Sequence, residues 1–127
     1  MPRVIPRLTV ADITKSIDFY VTRLGFAVTL LDPPVNPEFA VVELDEASLY
    51  FVTGGSRDEV QQLSDLSNNK WGVGVRIYLE VDNAESVHAK LTGLGVTPNR
   101  PLSHNEAEDY TEFSILDPDG YEIGIYS

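Results

Sequence analysis

The feature that most constrains the fold of this chain is an internal duplication. The segment LTVADITKSIDFYVTRLGF, residues 8–26, is matched by LEVDNAESVHAKLTGLGV, residues 79–96. Both segments open with Leu-x-Val, continue with apolar residues at helical spacing, and close with Leu-Gly and one more apolar residue. Asp12 and Asn83 stand where each helix would begin, as N-cap residues do. The repeat therefore predicts a chain built from two copies of one module.

Short β-prone segments surround each predicted helix. A strand precedes each helix, FAVTLLD, EFAVVEL and ASLYFVT follow the first, and VTPNRPL, DYTEFSIL and YEIGIYS follow the second. Each module is then a βαβββ unit with one helix on one face of a four-stranded sheet. We expect an α+β fold in which the two modules form a concave mixed sheet with the helices on its outer face.

The two modules make up one domain, because 127 residues suffice for a single core. We place module one at residues 1–54, a linker at 55–71 and module two at 72–127. Within the linker, Ser56 and Glu59 have capping-box spacing, which predicts a short helix.

Composition excludes several classes of function. Nine basic and twenty acidic residues give a net charge of −11, which would repel a nucleic-acid backbone. The chain has no cysteine, so it offers no thiolate metal site and no cysteine nucleophile. It has no apolar run long enough to span a bilayer, and its first ten residues do not form a signal peptide. We therefore expect a cytoplasmic protein with neither a nucleic-acid nor a membrane partner.

The closing stretch LDPDGYEIGIYS, residues 116–127, contains an unusual glycine. Pro118 occupies the second position of a predicted turn, Gly120 ends that turn, and a strand follows. Gly124 falls inside this strand, where a glycine forfeits side-chain packing. Such a glycine marks either a close approach of another group or a side chain that is absent for a reason.

The duplicated segments, the paired βαβββ modules and the terminal LDPDG turn together resemble the vicinal oxygen chelate superfamily. This superfamily includes glyoxalases, extradiol dioxygenases, fosfomycin-resistance enzymes and bleomycin-resistance proteins. The resemblance covers nearly the whole chain and implies the fold. It leaves the activity open, because the fold hosts both metal enzymes and metal-free binding proteins.

In the metal enzymes of this superfamily, histidine and glutamate side chains hold one divalent ion in the cavity. The resemblance places the four ligand positions at Ile5, Tyr50, Arg76 and Gly124. Isoleucine and glycine side chains offer no donor atom, and the guanidinium is a permanent cation that repels a metal. Tyr50 alone could not compensate. We therefore expect no bound metal and no other cofactor.

The two histidines do not supply an obvious replacement. His88 lies at the edge of the apolar face of the second helix, where a packing role is the simpler interpretation. His104 stands among Glu106, Glu108 and Asp109, and we interpret that stretch as a solvated acidic loop.

Strand alternation predicts which side chains face the cavity. The helix-facing set is apolar: Val4, Leu8, Leu49, Phe51, Val75, Ile77, Ile123 and Ile125. The side chains on the opposite face of the strands should line the cavity. Together with Gly124 of the last strand and Trp71 at the cavity mouth, they give the candidate ligand-binding residues: Ile5, Arg7, Tyr50, Trp71, Arg76, Tyr78, Glu122, Gly124 and Tyr126. Aromatic rings suit a planar or cationic ligand, and an arginine fork suits a carboxylate.

Each of these residues also has a structural interpretation. Arg76 and Glu122 lie on strands that should be neighbours and could pair with each other. Tyr50 and Tyr78 could pack across a dimer interface, and Trp71 could belong to the core.

Two functions follow from the resemblance. The first is a metal-free binding protein similar to the bleomycin-resistance branch, a homodimer that sequesters an antibiotic or a related metabolite. An acidic protein would suit a cationic ligand. The second is an enzyme, a lyase, isomerase or dioxygenase, that uses shifted metal ligands or acid–base chemistry by Glu122 with Tyr50 or Tyr78. A subunit or sensor with a vestigial pocket is a third interpretation. Because the metal-ligand atoms are missing, we favour the metal-free binding protein, and we assign no catalytic residue.

Overall fold

The computed structural model describes residues 2–53 and 71–127. The chain divides into two compact units, and the described residues 2–53 belong to the first and 71–127 to the second. The first contains β1 (Arg7–Thr9), α1 (Ile13–Thr22), β2 (Ala27–Asp32), β3 (Phe39–Leu44) and β4 (Ala47–Val52). The second contains β5 (Arg76–Glu80), α2 (Ala84–Gly93), β6 (Arg100–Asn105), β7 (Tyr110–Leu116) and β8 (Glu122–Tyr126). The βαβββ order in both units confirms the predicted fold class. The helix predicted in the linker lies outside the described residues.

The two units share one sheet topology. The strand orders are β1-β4-β3-β2 and β5-β8-β7-β6. In each sheet the first strand of the unit runs parallel to the last, and the other neighbours are antiparallel. The register places Arg7 opposite Tyr50 in the first sheet and Tyr78 opposite Gly124 in the second. The predicted duplication of a mixed four-stranded sheet is therefore confirmed strand by strand.

Both helices begin at the predicted N-cap residues. Asp12 Oδ1 accepts a hydrogen bond from the Lys15 amide at 3.2 Å, and Asn83 Oδ1 accepts one from the Ser86 amide at 2.9 Å. Each cap satisfies an amide that has no partner within its helix. Gly25, the predicted stop after α1, has a φ of 82°, a conformation that glycine adopts without strain.

The core of each unit lies between its helix and one face of its sheet. In the first unit the fully buried Tyr20 ring of α1 packs against Phe26 and Phe51, with centroid distances of 5.6 and 5.0 Å. In the second unit His88 of α2 packs edge-on against Phe113, at 5.0 Å. His88 therefore takes the packing position that its place on the helix suggested.

The strand ends differ from the sequence-based expectation in two places. Val4 and Val75 were expected to face a helix, but they precede β1 and β5 and are largely exposed. His104 lies on β6 and not in a loop; its Nδ1 is 2.9 Å from Thr111 Oγ1 and its Nε2 is 3.4 Å from Asp109 Oδ1. The strand that VTPNRPL predicted starts later, because β6 pairs with β7 only from Arg100 onward.

The turn before β8 forms as its sequence indicates. The Gly120 amide donates to the Asp117 carbonyl at 3.0 Å, with Pro118 at the second position. The Asp117 side chain, which is buried, accepts hydrogen bonds from the Asp119 and Tyr121 amides. Across residues 2–53 and 71–127, neither helix has the length and apolar character needed to cross a membrane.

Candidate functional site

The candidate site is a cavity on the second sheet, on the face turned away from α2. Ile123 and Ile125 point into the core, so their neighbours on β8 point to the opposite face. The cavity has a volume of about 210 Å³. Its lining combines charged, polar and aromatic residues from all four strands or their ends: Arg76, Tyr78, Arg100, Pro101, Ser103, Glu112, Phe113, Ser114 and Gly124.

The carboxylate of Glu122, the first residue of β8, has four partners. Its Oε2 accepts hydrogen bonds from Ser114 Oγ at 2.7 Å, Arg100 Nε at 3.0 Å and Asn99 Nδ2 at 3.2 Å. Its Oε1 lies 3.0 Å from Arg76 Nε. Because Arg76, Arg100, Ser114 and Glu122 come from β5, β6, β7 and β8, one carboxylate links all four strands of the sheet.

These partners hold Glu122 in its charged form. The hydrogen bond from Ser114 is the largest influence that lowers the pKa of Glu122, and Arg76, Asn99 and Arg100 add to it. Burial acts in the opposite direction, and the resulting pKa is about 2. A carboxylate with such a low pKa is a poor general base and carries no proton to donate near neutral pH. The acid–base role considered for Glu122 therefore has little support from its surroundings.

Arg76 forms the ion pair that its position predicted. Its Nη1 also donates a hydrogen bond to the Tyr78 hydroxyl at 2.9 Å, and its Cζ lies 5.8 Å from the centroid of that ring. Nε is buried and has no well-directed hydrogen bond to any described residue, so its 3.0 Å contact with Glu122 is an ion pair. The hydrogen bond to Tyr78, and then Glu122, raise the pKa of Arg76 above its ordinary value. A fixed cation thus stands at one of the implied metal positions.

Gly124 is the place where the Tyr78 ring rests. A Cβ atom built on Gly124 would lie 2.7 Å from Tyr78 Cε1, closer than real Cβ atoms approach a neighbour, and a tight 3.2 Å from Arg76 Cδ. Tyr78 in turn meets Tyr126 edge-on, with a centroid distance of 5.8 Å. The side chain that the sequence lacks at 124 would therefore occupy the space of Tyr78.

The other predicted site residues lie elsewhere. Arg7 and Tyr50 are opposite each other on β1 and β4 in the first unit, and the Tyr50 ring packs edge-on against Phe39 at 5.2 Å. Ile5 is half-buried and precedes β1. Trp71 is half-buried at the start of the second unit and does not line the cavity.

Sequence reasoning missed Asn99 and Arg100, which reach Glu122 from the beginning of β6. The pairing of β6 with β7 is irregular between Arg100 and Ser103, so strict alternation does not assign these side chains to a face. It also missed Ser114, whose neighbours on β7, Phe113 and Ile115, are both buried. The position of Ser114 between two apolar residues of a strand was a signal that its side chain points to the face opposite the core.

The residues at the implied metal positions do not fit a divalent ion. Arg76 is a cation held by Glu122, and the space beside Gly124 is filled by Tyr78. Nor do three or more histidine, aspartate or glutamate side chains converge to form a metal site anywhere in the described ranges. We therefore derive no chemical step that passes through a metal.

Comparisons with known proteins agree with this fold. The family model described as Glyoxalase/Bleomycin resistance protein/Dioxygenase superfamily matches residues 4–125. Lactoylglutathione lyases of Escherichia coli O157:H7 and Shigella flexneri are each 33% identical over 126 residues, covering 93% of this chain and 86% of theirs.

Solved structures show the same architecture. TnmS3, an antibiotic binding protein from Streptomyces sp. CB03234, is 24% identical with a TM-score of 0.70, over 98% of this chain and 94% of that one. TioX from Micromonospora sp. ML1 is 14% identical with a TM-score of 0.75, over the same shares of the two chains. At these identities the likeness concerns the fold.

Proposed function

Because the chain belongs to the glyoxalase/bleomycin resistance protein/dioxygenase superfamily, we propose that it binds a small molecule without a metal ion and releases it unchanged. The observation that carries this proposal is the state of Glu122. Its carboxylate is held by two guanidinium groups, the Asn99 amide and a buried hydroxyl, so it fixes the two cavity-lining arginines, and its low pKa makes it a poor general base.

The cavity suits a small ligand or one part of a larger one. Its volume of about 210 Å³ is below the roughly 300–1,000 Å³ of pockets that enclose drug-sized molecules. The exposed ring of Tyr78 offers a flat surface for a planar group. The antibiotic-binding protein TnmS3 has the same fold. Sequestration of an antibiotic or a related metabolite is therefore the role that we propose.

A binding experiment with a cavity-filling variant tests this function. We expect bleomycin or another aromatic antibiotic in a screened panel to raise the Tm of the protein and to be recovered unchanged by mass spectrometry. Ser103→Trp would fill the cavity from β6 and abolish the shift. The neighbouring His104→Trp, on the strand position that pairs with Thr111, serves as the control. A panel with no binder would remove the antibiotic role, and chemical change of a bound compound would contradict simple sequestration.

A lyase is the second candidate, supported by the 33% identity to lactoylglutathione lyases. The test is to incubate the untagged protein with lactoylglutathione, and separately with glutathione and methylglyoxal so that the reaction is followed in both directions, with Zn²⁺, Ni²⁺ or Mg²⁺ added one at a time. Elemental analysis of the purified protein accompanies the assay. One tightly held divalent ion per chain, together with turnover in proportion to protein, would reverse the order of the two candidates.

We also propose that the protein is a cytoplasmic homodimer, as the resemblance to the bleomycin-resistance branch suggests. Sedimentation equilibrium of the full chain tests the first part, and fractionation of cells that express it tests the second. A monomer at micromolar concentration would contradict the dimer.

A further inference from the structure

We infer that the cavity of the second unit binds a carboxylate group of its ligand through Arg76 and Arg100. The inference rests on the proposed binding function and names the chemical class of the ligand. Both arginines line the cavity, and both are held by the same partner, Glu122. The trio of two guanidinium groups and one carboxylate carries one net positive charge.

The two arginines have donors to spare. Within the described part of the chain, Arg76 uses Nε and Nη1, and Arg100 uses only Nε. Among the described residues, Nη2 of Arg76 and both terminal nitrogens of Arg100 have no hydrogen-bond partner. The Arg100 side chain is 62% exposed, so a ligand can reach it. A guanidinium presents its N–H groups as a planar fork that matches the two oxygens of a carboxylate.

Glu122 makes this arrangement possible because it fixes both arginines. Without this carboxylate, the two guanidinium groups would repel each other and turn towards solvent. With one carboxylate between them, each keeps its Nε turned inward, while the unused donors remain for a ligand. Preorganised donors bind an anion at lower cost than mobile ones.

The acidic residue of the lining limits the ligand to one anionic group. The side chain of Glu112 has no hydrogen bond or ion pair among the described residues. Its backbone pairs in register with Ser103, whereas that of Arg100 pairs with Ser114. Glu112 and Ser114 are two positions apart on β7, a distance of about 7 Å. The cavity thus has a basic end and an acidic side. A planar monocarboxylate therefore fits the cavity better than a dianion, whose second charge would meet Glu112. It also fits better than a cation, although the overall charge of −11 would favour one.

A matched pair of probes tests the sign of this site. We expect 2-naphthoate to bind the wild-type protein more tightly than 2-naphthylmethylammonium, which carries the same ring with the opposite charge, as measured by isothermal titration calorimetry. Arg100→Gln should weaken naphthoate binding about tenfold, since it removes a charge-assisted contact from a largely exposed side chain. Glu112→Gln should strengthen naphthoate binding. Lys90→Gln, an exposed change on α2, is the control and should leave it unaltered.

The outcomes separate this inference from the proposed function. Tighter binding of the ammonium probe, or an unchanged affinity for naphthoate in both Arg100→Gln and Glu112→Gln, would overturn the carboxylate site while leaving a binding protein. No binding of naphthoate by the wild type would overturn it as well. Conversion of lactoylglutathione with a bound metal would overturn the proposed function instead, and naphthoate that inhibited this reaction in an Arg100-dependent way would still support the site.

Discussion

The ring of Tyr78 lies against the backbone of Gly124, its partner in the parallel register of β5 and β8. Any side chain at position 124 would have to displace this ring, whose hydroxyl oxygen accepts a hydrogen bond from Arg76 Nη1. Glycine at 124 and tyrosine at 78 therefore depend on each other, and the pair shapes the wall of the cavity.

Gly124→Ala should lower the free energy of unfolding by about 1 kcal/mol, because the new methyl group overlaps the Tyr78 ring, which contacts Arg76 and Tyr126 and would have to move aside. In a Tyr78→Ala background the same change should be neutral or stabilising by about 0.5 kcal/mol, since alanine is better than glycine within a strand. Urea unfolding of the four proteins in this double-mutant cycle measures the coupling. Additive effects would mean that the ring moves aside at no cost.

Glu122 should make stability depend on pH in the acid range. Its pKa in the folded protein, about 2, is below its ordinary value of 4.5, so its contribution is complete above pH 4.5 and is lost as the pH falls towards 2. The side chain is 17% exposed, and the contribution should be on the order of 2 kcal/mol. Urea unfolding between pH 6 and pH 3 should show that the free energy of unfolding of the wild type falls with falling pH. The slope of this decrease should be smaller in Glu122→Gln.

The exposed Glu80→Gln change on β5 is the control for this experiment, because it removes a carboxylate that belongs to the same sheet but not to the cluster. A slope that Glu122→Gln leaves intact would mean that other groups cause the acid sensitivity.

Ser114→Ala should raise the pKa of Glu122 towards its ordinary value, since the hydrogen bond from Ser114 is the main cause of the low value. Ser114 is buried, and removal of a hydrogen bond to a charged group costs about 1.5–3 kcal/mol. NMR titration of the glutamate side-chain carbons measures the pKa, and thermal unfolding measures the loss. Ser103→Ala, in the same cavity but not bonded to Glu122, should change neither quantity.

The N-caps of the two modules should contribute similarly to stability. Asp12→Ala and Asn83→Ala should each cost about 1 kcal/mol, because each leaves a helix amide without its acceptor. Asn83→Gly should cost only a few tenths of a kcal/mol. Thermal unfolding, compared with the exposed change Lys15→Ala, measures these differences. A negligible effect at both caps would show that tertiary packing alone fixes the helix ends.

Much of the fold could be predicted from the sequence because the two helices and their caps recur in the same order. The pairing of Arg76 with Glu122 also followed from two neighbouring strands and simple alternation. Asn99 and Arg100 could not be assigned in this way, since an irregular pairing at the start of β6 breaks the two-residue period. A sequence pattern reports which face a regular strand presents, whereas the contacts of an irregular strand end depend on the partner strand.

The four-strand contact of Glu122 also affects which single substitutions could turn this site into a metal site. A histidine at position 76 alone would remove one cation from beside Glu122, and a glutamate at position 124 alone would collide with Tyr78. Each first step towards a metal-binding descendant is therefore penalised before any benefit appears. The contacts among Arg76, Glu122, Tyr78 and Gly124 thus oppose conversion of this site into a metal centre by one substitution at a time.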